Sequence, residues 1–394
     1  MKPPISYVIL THNRRENLLR TLERVRADSS AGSETIVVDN ASSDGTAGAV
    51  ARLCPWARII RRPVNEGSVA RNAGVAAAGA AVVMLLDDDS YPTGETSARA
   101  ISFLRANPKV ACVGGRVTLP DGSEDAAALP VILPACAMVL RRDAFQQVGG
   151  FSAEFFRQAE EYDLIFRLLA AGWGVERFED LTWHHEKTLT SRSSALIRRM
   201  DLRNNLLLLD LYLPQAIRAG YRRDWIDRYV ALARQDGHLE DARNAIAEAR
   251  LMLARRERKP LRAETVEAVL QPRQQEDAVR RWAQSRNVRQ VVIADYSKNL
   301  RASFDACVKA GLKVIAIADN NPAFAGKSYR GTPIVPDAHT EITGWQTSSA
   351  GGIVLSNVNP AQVDRRLASL SAWFSGPILR LWHPKHLALS AGAA

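Results

Sequence analysis

Short apolar runs alternate with segments of helical periodicity from the N-terminus onward, and that rhythm leaves few folds open. Residues 5–10 are strand-like, 14–26 repeat their apolar positions at helical spacing, 35–38 form a second strand and 46–53 a second helix. Residues 58–61, 69–78 and 82–86 continue the series. Strands joined by helices of this length predict an α/β fold whose mixed, mostly parallel sheet is covered by helices on both faces. Ligands of such sheets gather beyond the carboxyl ends of the strands. The residues directly after each apolar run are therefore the first candidates for chemistry.

Three aspartates, Asp87, Asp88 and Asp89, follow the apolar run VVMLL and precede the turn residues Ser90 and Pro92. At the end of a buried strand, such hard oxygen donors can hold Mg²⁺ or Mn²⁺ against a diphosphate. A solvated acidic turn is the plainer alternative. A second acidic turn, IVVDNASSDGT, sets Asp39 after another apolar strand, where a carboxylate can accept a hydrogen bond from a base or a ribose. Helix capping suffices to explain Asp44.

At 394 residues the chain exceeds one ordinary core. From Pro214 the pattern turns helical and polar, with QPRQQED at 271–277 read as a loop, and a second strand and helix pattern begins at Val291 with VVIAD, then VIAIAD and GIVLSN. The expected division is a catalytic domain over 1–213, a helical segment over 214–285 and a small Rossmann-like α/β domain over 286–394. In that last domain the turn ADYSKN lacks the glycines of Gly-x-Gly-x-x-Gly, so no bound NAD is expected. Ser297 and Lys298 at the following helix start offer a phosphate grip as the lesser reading, beside a role in assembly, positioning or acceptor recognition, including a homo-oligomer contact.

The formal charge of +10 fits nucleic acid, an anionic surface or a phosphate-bearing substrate. No nucleic-acid motif accompanies it, so no nucleic-acid partner is expected. Much of the excess is Arg198, Arg199, Arg203, Arg218, Arg222, Arg223 and Arg228, interleaved with apolar residues. Peripheral membrane contact and solvated helix faces account for that pattern equally. The longest apolar stretches, 82–86 and 206–213, fall far short of the ~20 residues of a spanning helix. No secretory signal opens the chain, and Cys54, Cys112, Cys136 and Cys307 are too scattered for a disulfide framework or a zinc site. The expected location is cytoplasmic, with the inner face of the cytoplasmic membrane as the alternative.

Taken in order, VILTHNRRENLL, IVVDNASSDGT, NEGSVARNAGVAAA, MLLDDDS and PACAMVLRRDAFQQVGGFSAEFFRQAEEYDLIFRLLAAGWGV resemble the family 2 glycosyltransferases, inverting enzymes of the GT-A fold. The resemblance implies metal-dependent transfer of a sugar from a UDP- or dTDP-linked donor. Its acceptor would be a glycan or lipid-linked glycan of a bacterial surface polysaccharide. Residue by residue, it implies Thr11 and Asp39 at the nucleoside, with His12, Asn13 and Arg14 beside them and Arg71 near the base. His12 stands where the family often has Tyr. Asp87 would approach the ribose and Asp89 would coordinate the metal, with Asp88 as the dispensable middle residue.

AEEYDL is similar to the family's Glu-Asp-x-Asp-Leu signature, which implies Glu161 as general base. The longer Glu arm leaves Glu160 and Asp163 open as alternatives. His184 and His185 resemble a late histidine near the metal, and His185 is preferred. Arg203, in DLRNNLLLL, would steady the diphosphate, although helix surface pairing is the plainer account. Gly149, Gly150 and Phe151 resemble the loop that shapes the acceptor cleft. The C-terminal segment more distantly resembles the Rossmann-like domain of sugar-modifying enzymes in polysaccharide pathways. Two other classes compete: a nucleotide-sugar-binding scaffold or sensor without turnover, suggested by the Glu at the base position, and a nucleotidyltransferase. The absence of glycine from ILTHNRRENL weighs against the latter.

Overall fold

The computed structural model describes residues 2–28, 31–187, 195–337 and 351–387. The chain forms two compact units, one of Met1–Ala127, Val131–Arg192 and Pro384–Ala394, the other of Ala128–Pro130 and Ser193–His383.

The first unit runs β1 (Ser6–Thr11), α1 (Arg15–Asp28), β2 (Glu34–Asp39), α2 (Thr46–Leu53), β3 (Arg58–Arg61), a 3-10 turn (Gly67–Ala70) into α3 (Arg71–Ala77), β4 (Val82–Asp87) and β5 (Ser90–Thr93). It continues with α4 (Thr96–Ala106), β6 (Val110–Thr118), β7 (Ala137–Arg141), α5 (Arg142–Gln147), α6 (Glu160–Ala170) and β8 (Gly174–His185). One eight-stranded sheet results, in the order β3-β2-β1-β4-β7-β6-β8-β5. The first four strands in that order are parallel, as the strand and helix alternation predicts. β7 then pairs antiparallel with both β4 and β6, and β5 antiparallel with β8, so the sheet is mixed.

Strands β1, β2 and β4 bury both faces, which is why their sequences read as continuous apolar runs. On one side Ile5, Tyr7 and Ile9 meet Leu18, Leu22 and Val25 of α1, at the spacing that keeps one helical face inward. Each such fully buried side chain contributes about 1.5–3 kcal/mol. On the other side α3 lies so close to the sheet that a Cβ on Gly74 would come within 2.4 Å of Val8 and 2.8 Å of Val38. Glycine at that position lets the helix seat, and with it Arg71 at its first turn.

The second unit opens with helices α7 (Ala195–Tyr212), α8 (Gln215–Gln235), α9 (Leu239–Leu253), α10 (Ala263–Leu270) and α11 (Pro272–Arg286). It proceeds through β9 (Gln290–Ala294), α12 (Leu300–Lys309), β10 (Lys313–Ala318), β11 (Ser328–Tyr329), β12 (Thr332–Val335), β13 (Gly351–Leu355), α13 (Pro360–Ser371) and β14 (Ile378–Arg380). Its sheet runs β11-β12-β10-β9-β13-β14 and is parallel apart from β11.

Two expectations change here. Leu202 and Leu206 of α7 pack on Ala242, Ala245 and Ala249 of α9, so α7 belongs to the second unit and the division falls ahead of it, not after residue 213. The segment QPRQQED is the start of α11 and not a loop, because Gln271 turns the chain in the left-handed region (φ 50°) and Pro272 sits at the first helical position, where no N–H is needed. The arginine-rich helices also spend much of their charge internally. Arg198 pairs with Asp241, Arg199 and Arg203 with Glu248, and Arg218 and Arg222 with Asp210. None of the described helices is long and apolar enough to cross a membrane.

Candidate active site

β1, β2 and β4 end side by side, with Leu10 opposite Asp87 and Thr11 opposite Asp39. Thr11, Asp39 and the aspartate triplet, far apart in sequence, thus share one rim of the sheet. Asp39 is 1% exposed, and its Oδ1 accepts from the Ser42 backbone N–H at 2.9 Å. Its Oδ2 is buried without a hydrogen-bond partner, and Arg61 Nε lies 3.9 Å away. Leaving such an atom unsatisfied costs about 1–3 kcal/mol, a cost that a ligand donor would remove.

The triplet divides its work. The guanidinium of buried Arg71, whose ring neighbour is Phe151, pairs with Asp87, while its Nε has no partner. Asp88 is almost fully buried, accepting from Thr11 Oγ1 at 2.8 Å and pairing with Arg14 at 2.7 Å. Burial pushes its carboxyl up to about 7 against the pull of Arg14. This middle aspartate is thus packed between Thr11 and Arg14. Asp89 pairs with Arg14 at 2.8 Å and with His185 Nε2 at 3.1 Å. Burial raises its carboxyl, but His185 and Arg14 outweigh that and hold it well below the usual range.

Strand alternation separates the two histidines. His185 points inward, is 2% exposed, and also meets Asp125 Oδ2 at 3.2 Å and Cys136 Sγ at 3.7 Å through Nδ1. His184 points outward toward Tyr91 and Glu186. Burial favours neutral His185, yet Cys136, Asp125 and Asp89 together hold its proton far above the ordinary value. Among the described residues one group could close on a metal ion: a carboxylate oxygen of Asp87, Cys136 Sγ and a ring nitrogen of His185 lie within 4.8 Å of one another. This oxygen, nitrogen and sulfur set suits a divalent transition ion once His185 has given up its proton. Asp89, the expected ligand, lies next to that group through His185 but is held by Arg14.

The rest of the opening segment builds the rim. His12 Nδ1 sits 2.8 Å from the Asn40 carbonyl, and Asn13, at φ 53°, accepts from the Ser43 backbone N–H at 2.7 Å while its own N–H donates to Ser42 Oγ. These contacts tie the β1 and β2 ends together.

The acidic start of α6 follows a left-handed Ala159 (φ 63°). Glu160 is buried, with Oε1 accepting from Ser68 Oγ at 2.6 Å and Oε2 without a partner. Burial first, and then the neighbouring Glu160, raise the Glu161 carboxyl well above the ordinary range. Asp163 is otherwise engaged. It is 2% exposed and bound by Arg167, whose remaining donors hold the Val148 and Gly150 carbonyls at 2.5 and 2.7 Å. Its place is to clamp the Gly149–Gly150 turn to α6. In that turn Gly150 has φ 65°, and a Cβ there would come within 2.6 Å of Asn72 Oδ1, which accepts from the Phe151 N–H at 2.9 Å.

Arg203 belongs to the second unit, where its guanidinium is held by Glu248 at 2.7 Å and Asn204 at 2.8 Å. The sequence reading passed over Cys136, Asp125 and Ser68. Cys136 and Ser68 lie inside the segments PACAMV and NEGSVARN, but nothing local marks Asp125.

Residues 6–154 match the family described as Glycosyl transferase family 2. The chain is 34% identical to the succinoglycan biosynthesis protein ExoO of Rhizobium meliloti (strain 1021) over 89 residues, which is 22% of this chain and 26% of that protein. It is 22% identical to an uncharacterized glycosyltransferase of Haemophilus influenzae over 183 residues, 42% of this chain and 62% of that one. The matches thus span less than two thirds of either relative. Among solved structures, a mannosyltransferase from Pyrobaculum calidifontis, in complex with GDP-Man and Mn²⁺, is similar at 18% identity and a TM-score of 0.44, over 79% of this chain and 87% of that one.

Proposed function

We propose that this chain, whose residues 6–154 match the Glycosyl transferase family 2 model, moves a sugar, with inversion, from a nucleoside diphosphate donor to a hydroxyl of a glycan or lipid-linked glycan. The carrying observation is the rim formed by β1, β2 and β4, where Asp39, Arg71 and Asp87 converge with a buried carboxylate oxygen and a buried guanidinium N–H left unsatisfied. Such pairs of orphans suit the hydrogen-bonding edge of a nucleoside. The similarity to a succinoglycan biosynthesis protein supports a surface polysaccharide as the destination.

In this reading Asp39 accepts from the nucleoside and Arg71, released from or shared with Asp87, faces the donor. Thr11 holds Asp88 in place, His12 and Asn13 fix the rim, and Arg14 supplies positive charge where a diphosphate would lie. Asp87, Asp89, His185 and Cys136 are the residues that would hold Mn²⁺; a thiolate and an imidazole suit Mg²⁺ poorly. When bound, the ion neutralises charge developing on the departing diphosphate. Glu161 takes the proton of the acceptor hydroxyl. A raised carboxyl is suited to that role, because a stronger base holds the proton more firmly as the hydroxyl oxygen attacks.

Calorimetric titration with UDP, dTDP and GDP, each with Mn²⁺ and then with EDTA, tests this reading. Metal-dependent binding of one nucleotide by the wild type, lost in Asp39→Ala, supports it. Binding without turnover in any donor and acceptor pair favours the scaffold reading, and no binding at all removes both.

A further inference from the structure

The second unit has a cavity of its own, of about 290 Å³, at the carboxyl edge of its six-stranded sheet. From β9 the chain passes through α12 to β10 on one side, while β13 lies on the other side of β9. Strand order therefore reverses at β9, and the cavity occupies the crevice that such a reversal opens. Loops after β9, β10 and β13 all contribute to its wall.

The charges in that wall are not equivalent. Asp295, held at φ 75°, is neutralised by Arg366 at 2.6 Å, which also holds Asp337 at 2.5 Å. Asp319 is fixed differently: its two oxygens accept the backbone N–H groups of Tyr296 at 2.7 Å and Asn321 at 2.8 Å. Each oxygen keeps a further lone pair, which suits the hydroxyls of a sugar. Arg228 reaches the cavity from α8, donating through Nε to the Tyr296 carbonyl at 3.0 Å and joined to no carboxylate among the described residues. Its terminal N–H groups form the fork that fits phosphate oxygens. A fixed acceptor and an uncompensated guanidinium thus line one crevice together with the ring of Tyr296, packed edge-on against Phe324 at 4.8 Å.

We propose that this cavity binds a phosphorylated sugar, with its phosphate on Arg228 and its hydroxyls on Asp319, as a site separate from the transferase centre. Asp295 stands where a dinucleotide fold has glycine, and its side chain goes to Arg366, so the backbone there is not bared for a pyrophosphate. The ligand is accordingly a single phosphorylated sugar, from either of two sources: the ribose phosphate of a mononucleotide or a glycosyl phosphate.

The test uses the full chain carrying Asp39→Asn and Asp87→Asn, which disables nucleotide binding at the first unit. It is titrated with UMP, AMP, glucose 1-phosphate, glucose and inorganic phosphate. Saturable binding of a nucleotide or of glucose 1-phosphate, at least tenfold tighter than that of glucose or phosphate alone, is expected and identifies the source. Adding Arg228→Met should weaken it at least tenfold, and Arg228→Lys, which keeps the charge, should retain part of the affinity if Arg228→Met disturbs folding. Absence of binding in the double variant, inorganic phosphate binding as tightly as any sugar phosphate, or full affinity in both Arg228 variants would overturn the proposal. The proposed transferase function stands or falls independently of these results.

Discussion

Replacing Glu160 by Gln should move the pH dependence of the transfer reaction in a direction that the structure dictates. Glu161 is raised by burial first and by the Glu160 carboxylate second. Glu160→Gln removes the second cause alone and keeps the hydrogen-bonding shape that meets Ser68 Oγ at 2.6 Å. Removing the like charge lowers the Glu161 carboxyl, while burial keeps it above the ordinary range. A general base works deprotonated, so the acidic limb of kcat/KM should shift to lower pH. The stability link has the opposite sense: a raised carboxyl stabilises the fold below its unfolded pKa and loses that contribution as pH rises through the folded value, so Glu160→Gln should relieve the loss on the alkaline side. The assay is nucleotide release across pH, with Glu161→Gln as companion, which should cost about 10²–10⁴ in kcat and abolish the limb. An unmoved limb in Glu160→Gln, with Glu161→Gln fully active, would refute the assignment of Glu161 as base.

Three further outcomes are expected. Asp89→Ala and His185→Ala should each weaken Mn²⁺ binding in the presence of nucleotide at least tenfold, read by electron paramagnetic resonance of free Mn²⁺; unchanged titrations in both would take the ion away from this cluster. Arg167→Ala removes the guanidinium that pairs with Asp163, which is 2% exposed, and should cost about 3–5 kcal/mol in urea unfolding; a cost near zero would mean that the clamp is not formed. Gly150→Ala, forced into φ 65° against Asn72 and Phe145, should lose about 1–3 kcal/mol, whereas an unchanged Tm would show that the turn yields freely.

The parallel half of the sheet was legible because its strands are buried on both faces and read as unbroken apolar runs. Asp39 and Asp87 could be named for the same reason: each is the residue at which such a run stops, whereas Thr11 is implied by the family resemblance. The antiparallel half was less legible. β7 reaches β4 only after residues 119–136, and no local signal says that this passage delivers Cys136 and Asp125 to His185. Adjacent histidines look alike in sequence, and only strand parity distinguishes His185 from His184. Charge counting left two readings of the arginine-rich helices open, and the pairing that is the plainer account of Arg203 is what forms: Glu248, Asp241 and Asp210 take up much of that charge. QPRQQED reads as a loop in sequence, although its Pro272 is a favoured first residue of a helix.

Arg167 gives the Gly149–Gly150 turn a mechanical meaning. By gripping the Val148 and Gly150 carbonyls with the same guanidinium that binds Asp163, it welds the turn to the first turns of α6 like a bracket with no hinge. A push on one arm is delivered to the other, so whatever displaces the turn displaces Glu161 with it. Misplacement of a reacting group by about 1 Å can cost on the order of 10²-fold in rate. Sequence changes in the QQVGGF turn should therefore surface as altered turnover long before they surface as altered binding.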